Sequence, residues 1–226
     1  MIRAVIFDFD DTLSNGEQFD YDNLYEFFRP YFPDLDEREY DAVLQDLNSS
    51  SIHACGPQAF RYRCHLYLKK YSLDESVCDA LEEYWEKESY KHAVLRENAM
   101  EVLKELKKSY KIGICTNGGR ERQHNKLYQT GLHDFVDGIS ISAEVGKAKP
   151  AKEMYLDICQ KLNVLPEECL YVGDSLSGDC LGAYRVGMIP IWMQRDLDRP
   201  TRADILRITD LSEVIAIAKR LEEKES

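Results

Sequence analysis

Ala4 to Phe7 is a run without a polar position, β-branched and aromatic in character, and such a run suits a strand buried on both faces of a parallel sheet. Short apolar runs recur at Ile112-Gly-Ile-Cys115, Gly138-Ile-Ser-Ile141, Cys169-Leu-Tyr-Val172 and Ile189-Pro-Ile-Trp192, with a further strand candidate at Ile205 to Ile208. Between them the period becomes helical. Met100, Leu103 and Leu106 share one face of a helix predicted over Ala99 to Tyr110, and Lys104, Lys107 and Lys108 complement the dipole at its end. A polar helix is predicted over Arg120 to Gln129, another over Lys152 to Leu162, a short one around Leu181 and Ala183, and a last one over Leu211 to Leu221. Strands alternating with helices predict an α/β class, a Rossmann-like parallel sheet with helices on both faces.

From Glu17 to about Tyr90 the buried-strand runs disappear. Leu24, Phe27, Phe28 and Tyr31 recur at helical spacing, as do Tyr40, Val43, Leu44 and Leu47. A loop at Ser49 to Pro57 separates them from Phe60, Cys64, Tyr67, Leu68 and Tyr71, then Val77, Leu81, Tyr84 and Trp85. The pattern predicts about four helices in a separate bundle, whose aromatic stripe is more simply core than pocket. The expected plan is a core of residues 1–14 and 93–226, with an α-helical domain of residues 15–92 inserted into it.

Composition narrows the function. The formal net charge of −12 argues against a nucleic-acid polymer or an anionic membrane surface as partner, since both call for clustered Lys and Arg. No apolar run approaches the ~18 to 20 residues of a membrane span, and the first residues enter a strand with no signal-peptide pattern. A cytoplasmic protein, monomer or homodimer, is expected. The seven cysteines are odd in number, scattered, and never spaced Cys-x-x-Cys, so they predict neither a disulfide framework nor a zinc site.

The chemistry sits where strands should end. Asp8, Asp10 and Asp11 crowd the exit of the first strand, followed by Thr12, and clustered negative charge there is costly unless a cation or a shared proton offsets it. Residues i and i+2 of an extended segment point the same way, so Asp8 and Asp10 can face one site and divide labour as nucleophile or metal ligand and as general acid and base. The bland alternative is that these acids cap the next helix. Thr116 and Asn117 follow the Ile112 strand, Lys149 lies beyond the Ile139 strand, and Asp174 and Asp179 follow the Leu170 strand. Singly these read as a turn, a solvated lysine and a helix cap.

In order, Asp8-Phe-Asp-Asp-Thr12, Thr116-Asn117, Lys149-Pro150 and Gly173-Asp174-Ser-Leu-Ser-Gly-Asp179 resemble the four motifs of the haloacid dehalogenase-like superfamily. The insertion after the first motif resembles the helical cap of its phosphatase branch. The resemblance implies a magnesium-dependent phosphatase acting on a small phosphorylated metabolite, a sugar phosphate, nucleotide or phosphoglycolate-like ester. It implies Asp8 as the nucleophile that forms an aspartyl-phosphate, Asp10 as general acid and base, Thr116, Asn117 and Lys149 as phosphoryl-binding groups with Lys149 balancing charge, and Asp8, Asp10, Asp174 and Asp179 around Mg²⁺. Asp10 favours phosphatases over dehalogenases, which lack an aspartate there. Asp11 stands where many relatives have glycine. The resemblance also makes the cap, between Gly16 and Tyr90, the source of specificity; Arg61 and Arg63 could meet a second anionic group there, but a solvated helix face explains them more simply. A phosphomutase on a sugar phosphate would share these motifs, and a non-catalytic phosphometabolite-binding protein would keep the fold.

Overall fold

In the computed structural model of this chain, residues 1–49, 69–194 and 205–223 are described. Strands β1 (Ala4–Phe7), β2 (Lys111–Thr116), β3 (Gly138–Ile141), β4 (Cys169–Gly173), β5 (Ile189–Met193) and β6 (Leu206–Ile208) form one sheet in the order β3-β2-β1-β4-β5-β6. Every neighbouring pair is parallel, and Phe7 lies between Ile114 of β2 and Val172 of β4.

The absence of a polar face in the first strand has a direct cause. Val5 and Phe7 pack with Leu103, Ile112, Ile114, Leu170 and Val172 on one side of the sheet. Ala4 and Ile6 pack on the other with Cys115, Met154, Tyr155, Ile158 and Tyr171. Alternate residues of one strand therefore enter two different apolar clusters, as a strand covered on both faces does, and the strand order puts β1 inside the sheet. The helix Lys152–Leu162 lies so close to the sheet that a Cβ on Gly113 would come within 2.8 Å of Leu162 Cδ1.

By its contacts the chain divides into two compact units, Met1–Asn15 with Val94–Ser226, and Gly16–Ala93. Within the first, Ser14 and Leu95 form an antiparallel bridge, Asn15 N donates to the Val94 carbonyl at 3.0 Å and Arg96 N to that of Leu13 at 2.8 Å. The second unit contains helices Gly16–Phe28, Glu37–Ser49 and Ser76–Lys87, with Leu24, Phe28, Tyr40, Leu44, Val77, Cys78 and Leu81 as its buried centre. Its aromatic stripe is mostly core: Tyr40 is fully buried and meets Tyr25 edge-on at 5.2 Å. The Glu37 helix begins with a reciprocal cap, Asp36 Oδ1 accepting from Glu39 N at 2.9 Å while Asp36 N donates to Glu39 Oε2 at 3.1 Å. Phe60, Cys64, Tyr67, Leu68, Arg61 and Arg63 lie outside the described residues.

Some boundaries differ from the pattern-based expectation. The helix predicted to Tyr110 stops at Leu106, and Lys107 turns to donate to the Phe135 carbonyl and, at 2.9 Å, to Asp137. The last helix runs Glu213–Glu223, two residues later than predicted, because Glu213 Oε1 accepts from Thr209 N and Asp210 N and caps the turn that Leu211 occupies. Tyr31, expected on a helical face, follows Pro30 into a short turn and is exposed. Cys78, Cys115, Cys159, Cys169 and Cys180 are buried free thiols. Among the described residues no helix is long and apolar enough to cross a membrane.

Leu162 is buried against the sheet, whereas Leu165, three residues on, is 57 % exposed. Leu162→Ala is expected to lower unfolding free energy by about 2–5 kcal/mol. Leu165→Ala should change it by no more than about 0.5 kcal/mol. Urea unfolding of the two variants beside the parent chain measures both, and equal losses would contradict this packing.

Candidate active site

Going outward from β1, the chain passes to β2 on one side and to β4 on the other, so the strand order reverses there. A crevice at the carboxyl ends of strands where the order reverses is where open α/β sheets bind ligands. Asp8 leaves β1 at that edge, its amide still donating to the Val172 carbonyl of β4 at 2.9 Å. Thr116 ends β2 and Gly173 ends β4 beside it.

Asp8, Asp174 and Asp179 come together there, each offering a carboxylate oxygen within 4.8 Å of the others. The Lys149 ammonium enters the group and donates to Asp8 Oδ1 at 2.6 Å and Asp179 Oδ1 at 2.7 Å, with its side chain only 5 % exposed. Asn117 holds the Lys149 backbone from both sides, Oδ1 accepting from Lys149 N at 2.8 Å and Nδ2 donating to Lys149 O at 3.4 Å. Asp179 also accepts from Tyr171 OH at 3.2 Å and Ser175 N at 3.0 Å. Gly173 makes room for it: a Cβ there would lie 2.4 Å from Asp179 Cβ and Cγ. Asp174 takes a 3.4 Å hydrogen bond from Thr12 Oγ1, while its carbonyl accepts from Trp192 Nε1 at 2.8 Å.

A hard divalent cation such as Mg²⁺ takes oxygen ligands and keeps several waters, so one or two carboxylates suffice to bind it. The donor chemistry of Asp8, Asp174 and Asp179 fits it, and Lys149 neutralises part of the excess negative charge.

Asp10 is placed differently. Its carboxylate accepts from Lys126 Nζ at 2.8 Å through Oδ1 and from Gln123 Nε2 at 2.8 Å through Oδ2, and it lies outside the three-carboxylate group in which the resemblance had included it. Gln123 Nε2 also donates to Thr116 Oγ1 at 2.7 Å and to the Asn117 carbonyl at 3.0 Å. Gly118 is needed beside it, since its φ of +150° and the 2.8 Å approach of Gln123 Cγ to a built Cβ exclude a side chain. Between Asp8 and Thr12 the backbone turns sharply, with Asp11 left-handed at φ 63° and its carbonyl accepting from Arg96 Nη2 at 2.9 Å. Aspartate tolerates that conformation better than most residues.

The carboxyls of one short segment are thereby driven apart. Burial raises Asp8 well above the ordinary carboxylate range, and the charges of Asp179 and Asp174 add to it against the pull of Lys149. Asp174 is pushed up to about 7 by burial and by the Asp179 and Asp11 charges. For Asp10, partial burial acts upward but Lys126 and Gln123 outweigh it, and the carboxyl is lowered. Burial works against the Lys149 charge, yet Asp8 and Asp179 hold its pKa above the ordinary lysine value.

Of the expected residues, Asp8, Asp174, Asp179 and Lys149 meet in one cluster, Asn117 buttresses Lys149, and Thr116 joins Asp10 through Gln123. Lys126, Gln123 and Tyr171 were not singled out from sequence. The first two stand three apart on a helix with little apolar character, Arg120–Gln129, yet both are buried. A polar helix that follows a strand-end motif directly is the signal that points to them.

Residues 2–187 match the family model described as haloacid dehalogenase-like hydrolase. The chain is 31% identical over 208 residues to the glyceraldehyde 3-phosphate phosphatase of Methanopyrus kandleri, covering 86% of this chain and 85% of that protein. It is 30% identical over 200 residues to a pyrimidine 5'-nucleotidase of Escherichia coli, covering 84% of each. In fold it resembles the putative HAD-hydrolase YfnB of Bacillus subtilis, with a TM-score of 0.79 at 24% identity, over 96% of this chain and 98% of that one.

In the metal-free chain the folded state keeps a proton on Asp174 between the ordinary value of 3.8 and about 7, where the unfolded chain has released it. The native state then binds more protons, so stability falls as pH rises through that window. Asp174→Asn should remove this contribution and raise the melting temperature at neutral pH in the presence of chelator. Thermal melts followed by circular dichroism test it, and a lower melting temperature for the variant would contradict it.

Proposed function

We propose, from the premise that this chain belongs to the haloacid dehalogenase-like hydrolases and is a phosphatase of that family, that it hydrolyses a small phosphomonoester through an aspartyl-phosphate on Asp8 with Mg²⁺ as cofactor. The observation that carries this reading is Lys149 seated between Asp8 and Asp179, with Asp174 in the same group: a partly neutralised acidic site at the mouth of the sheet.

In this reading Asp8 attacks phosphorus, and the bond from phosphorus to the ester oxygen breaks. Asp10, held ionised by Lys126 and Gln123 before substrate binds, takes up a proton as the negatively charged ester arrives beside it. It gives that proton to the departing oxygen, and then takes one from the water that attacks the phosphorus bound to Asp8. Inorganic phosphate leaves, Asp8 is again a carboxylate, and Asp10 has regained its proton. Two displacements replace one difficult one, as covalent catalysis does generally. Bound through Asp8, Asp174 and Asp179, Mg²⁺ would neutralise charge on the transferring phosphoryl oxygens. Lys149 supplies a second positive charge, and Thr116 and Asn117 stand at the end of β2 where a phosphoryl oxygen would be held.

The relatives' names suggest the substrate class. Glyceraldehyde 3-phosphate and a nucleoside 5'-monophosphate are both phosphate esters of primary alcohols, and an ester of that kind is the substrate we assign here. A 5'-nucleotide, a phosphoglycolate-like acid and a sugar phosphorylated on a primary hydroxyl all fall within it.

The test is phosphate release from a panel of such esters, with Mg²⁺ and with chelator, using the parent chain beside Asp8→Asn. Release is expected to require the metal and to vanish in Asp8→Asn, while the circular dichroism spectrum of the variant stays that of a folded chain. Turnover retained by folded Asp8→Asn would remove Asp8 as the nucleophile, and an isomeric sugar phosphate in place of free phosphate would make the enzyme a mutase.

A further inference from the structure

Lys126 is a buried cation that the proposed reaction does not itself use. Its side chain is 5 % exposed on the helix Arg120–Gln129, and it donates to Asp10 Oδ1 at 2.8 Å. Burying an ammonium is costly unless a partner and hydrogen bonds compensate, so its place must be explained by what it holds. Gln123, one helical turn earlier on the same face and fully buried, takes the other oxygen of the same carboxylate at 2.8 Å. All three partners of its amide nitrogen are acceptors, namely Asp10 Oδ2, Thr116 Oγ1 and the Asn117 carbonyl, which fixes the way the amide faces. Its own Oε1 is buried with no hydrogen-bond partner among the described residues. A side chain that leaves an acceptor unsatisfied in order to present its donors is being kept for the donors.

We infer that Lys126 and Gln123 are positioning residues: together they grip both oxygens of Asp10 and, through Gln123, tie its orientation to that of Thr116. The inference rests on the reading of Asp10 as the acid that protonates the leaving oxygen. Both donors come from the one helix Arg120–Gln129, and Gly118 at φ +150° gives the Gln123 side chain room to reach across. A carboxylate held by two donors has its plane fixed, whereas one held by a single donor can rotate about it. Displacement of a catalytic group by even an ångström costs rate, and the cost falls on the step in which that group acts.

That step can be isolated by leaving-group chemistry. A primary alkoxide is strongly basic and needs a proton as it departs, whereas p-nitrophenolate leaves without one. The quantity to measure is kcat/KM, with Mg²⁺, for the best primary alkyl phosphate of the panel and for p-nitrophenyl phosphate. The parent enzyme, Asp10→Asn, Lys126→Met and Gln123→Met are compared, with far-ultraviolet circular dichroism and melting curves recorded for each. Lys126→Met is expected to lose on the order of 10²-fold on the alkyl ester but less than about tenfold on p-nitrophenyl phosphate. Asp10→Asn should show the same imbalance or a larger one. A generally loosened site would lower both substrates alike, so the ratio separates positioning from folding. If Asp10→Asn is selective for the alkyl ester but folded Lys126→Met loses equally on both substrates or not at all, the positioning role is overturned while the reading of Asp10 stands. If Asp10→Asn is itself unselective, the reading of Asp10 as the acid fails and the inference falls with it. Should Lys126→Met not fold, Gln123→Met decides by the same ratio.

Discussion

A single ammonium group between two buried carboxylates is the constraint on which the site depends. Three acidic side chains at the mouth of an apolar sheet would repel one another, and Lys149 joins Asp8 and Asp179 at 2.6 and 2.7 Å. Its placement is determined far from its own charge. Lys149 lies beyond β3, and Asn117, just past the end of β2, fixes its backbone through two hydrogen bonds. The parallel pairing of β1 with β2 and with β4 then brings Asp8, Asn117 and Asp174 to one edge. Sheet order, loop and charge form one arrangement, and none of the three makes a site alone.

A second cation repeats the device with a different result. Lys126 meets Asp10, two residues from Asp8, and lowers its carboxyl, while burial and neighbouring acids raise Asp8 and Asp174. Groups of one chemical type within a short stretch thus occupy opposed environments. A cation bound at Asp8 and a phosphate group beside Asp10 would reverse that order, as the proposed roles of nucleophile and acid require. The sharp turn at Asp11, stabilised by Arg96, is what sends successive carboxylates to these separate partners.

Much of this was legible in the chain itself. Ala4 to Phe7 has no polar face because its alternate residues enter two apolar clusters, and a strand covered on both faces could be inferred from that alone. Asp8, Asp174 and Lys149 each follow a strand, and a parallel sheet delivers all such exits to one edge, so their meeting could be foreseen from order and spacing. Lys126 could not be found this way, because its partner lies 116 residues away and a lysine in a polar helix looks like any solvated one. Its burial depends on how the helix docks, which the local pattern does not encode. The end of the Ala99 helix at Leu106 was hidden for a related reason: the tertiary partners of Lys107, Phe135 and Asp137, decide it. Glu213 had the opposite character, a local cap available to inspection but outweighed by the apolar Leu211.

The paired stem formed by Leu13 to Asn15 and Val94 to Arg96 bears on how this architecture can change. The chain departs from the core and re-enters it at adjacent hydrogen-bonded positions, so the core's own path is closed before the inserted residues are counted. Length, composition and helix number between those points can vary without shifting the register of any strand. Loop closure grows costly only slowly with length, which places little penalty on large insertions at such a junction. The stem is in effect a socket that closes the path of the core at its own hydrogen bonds.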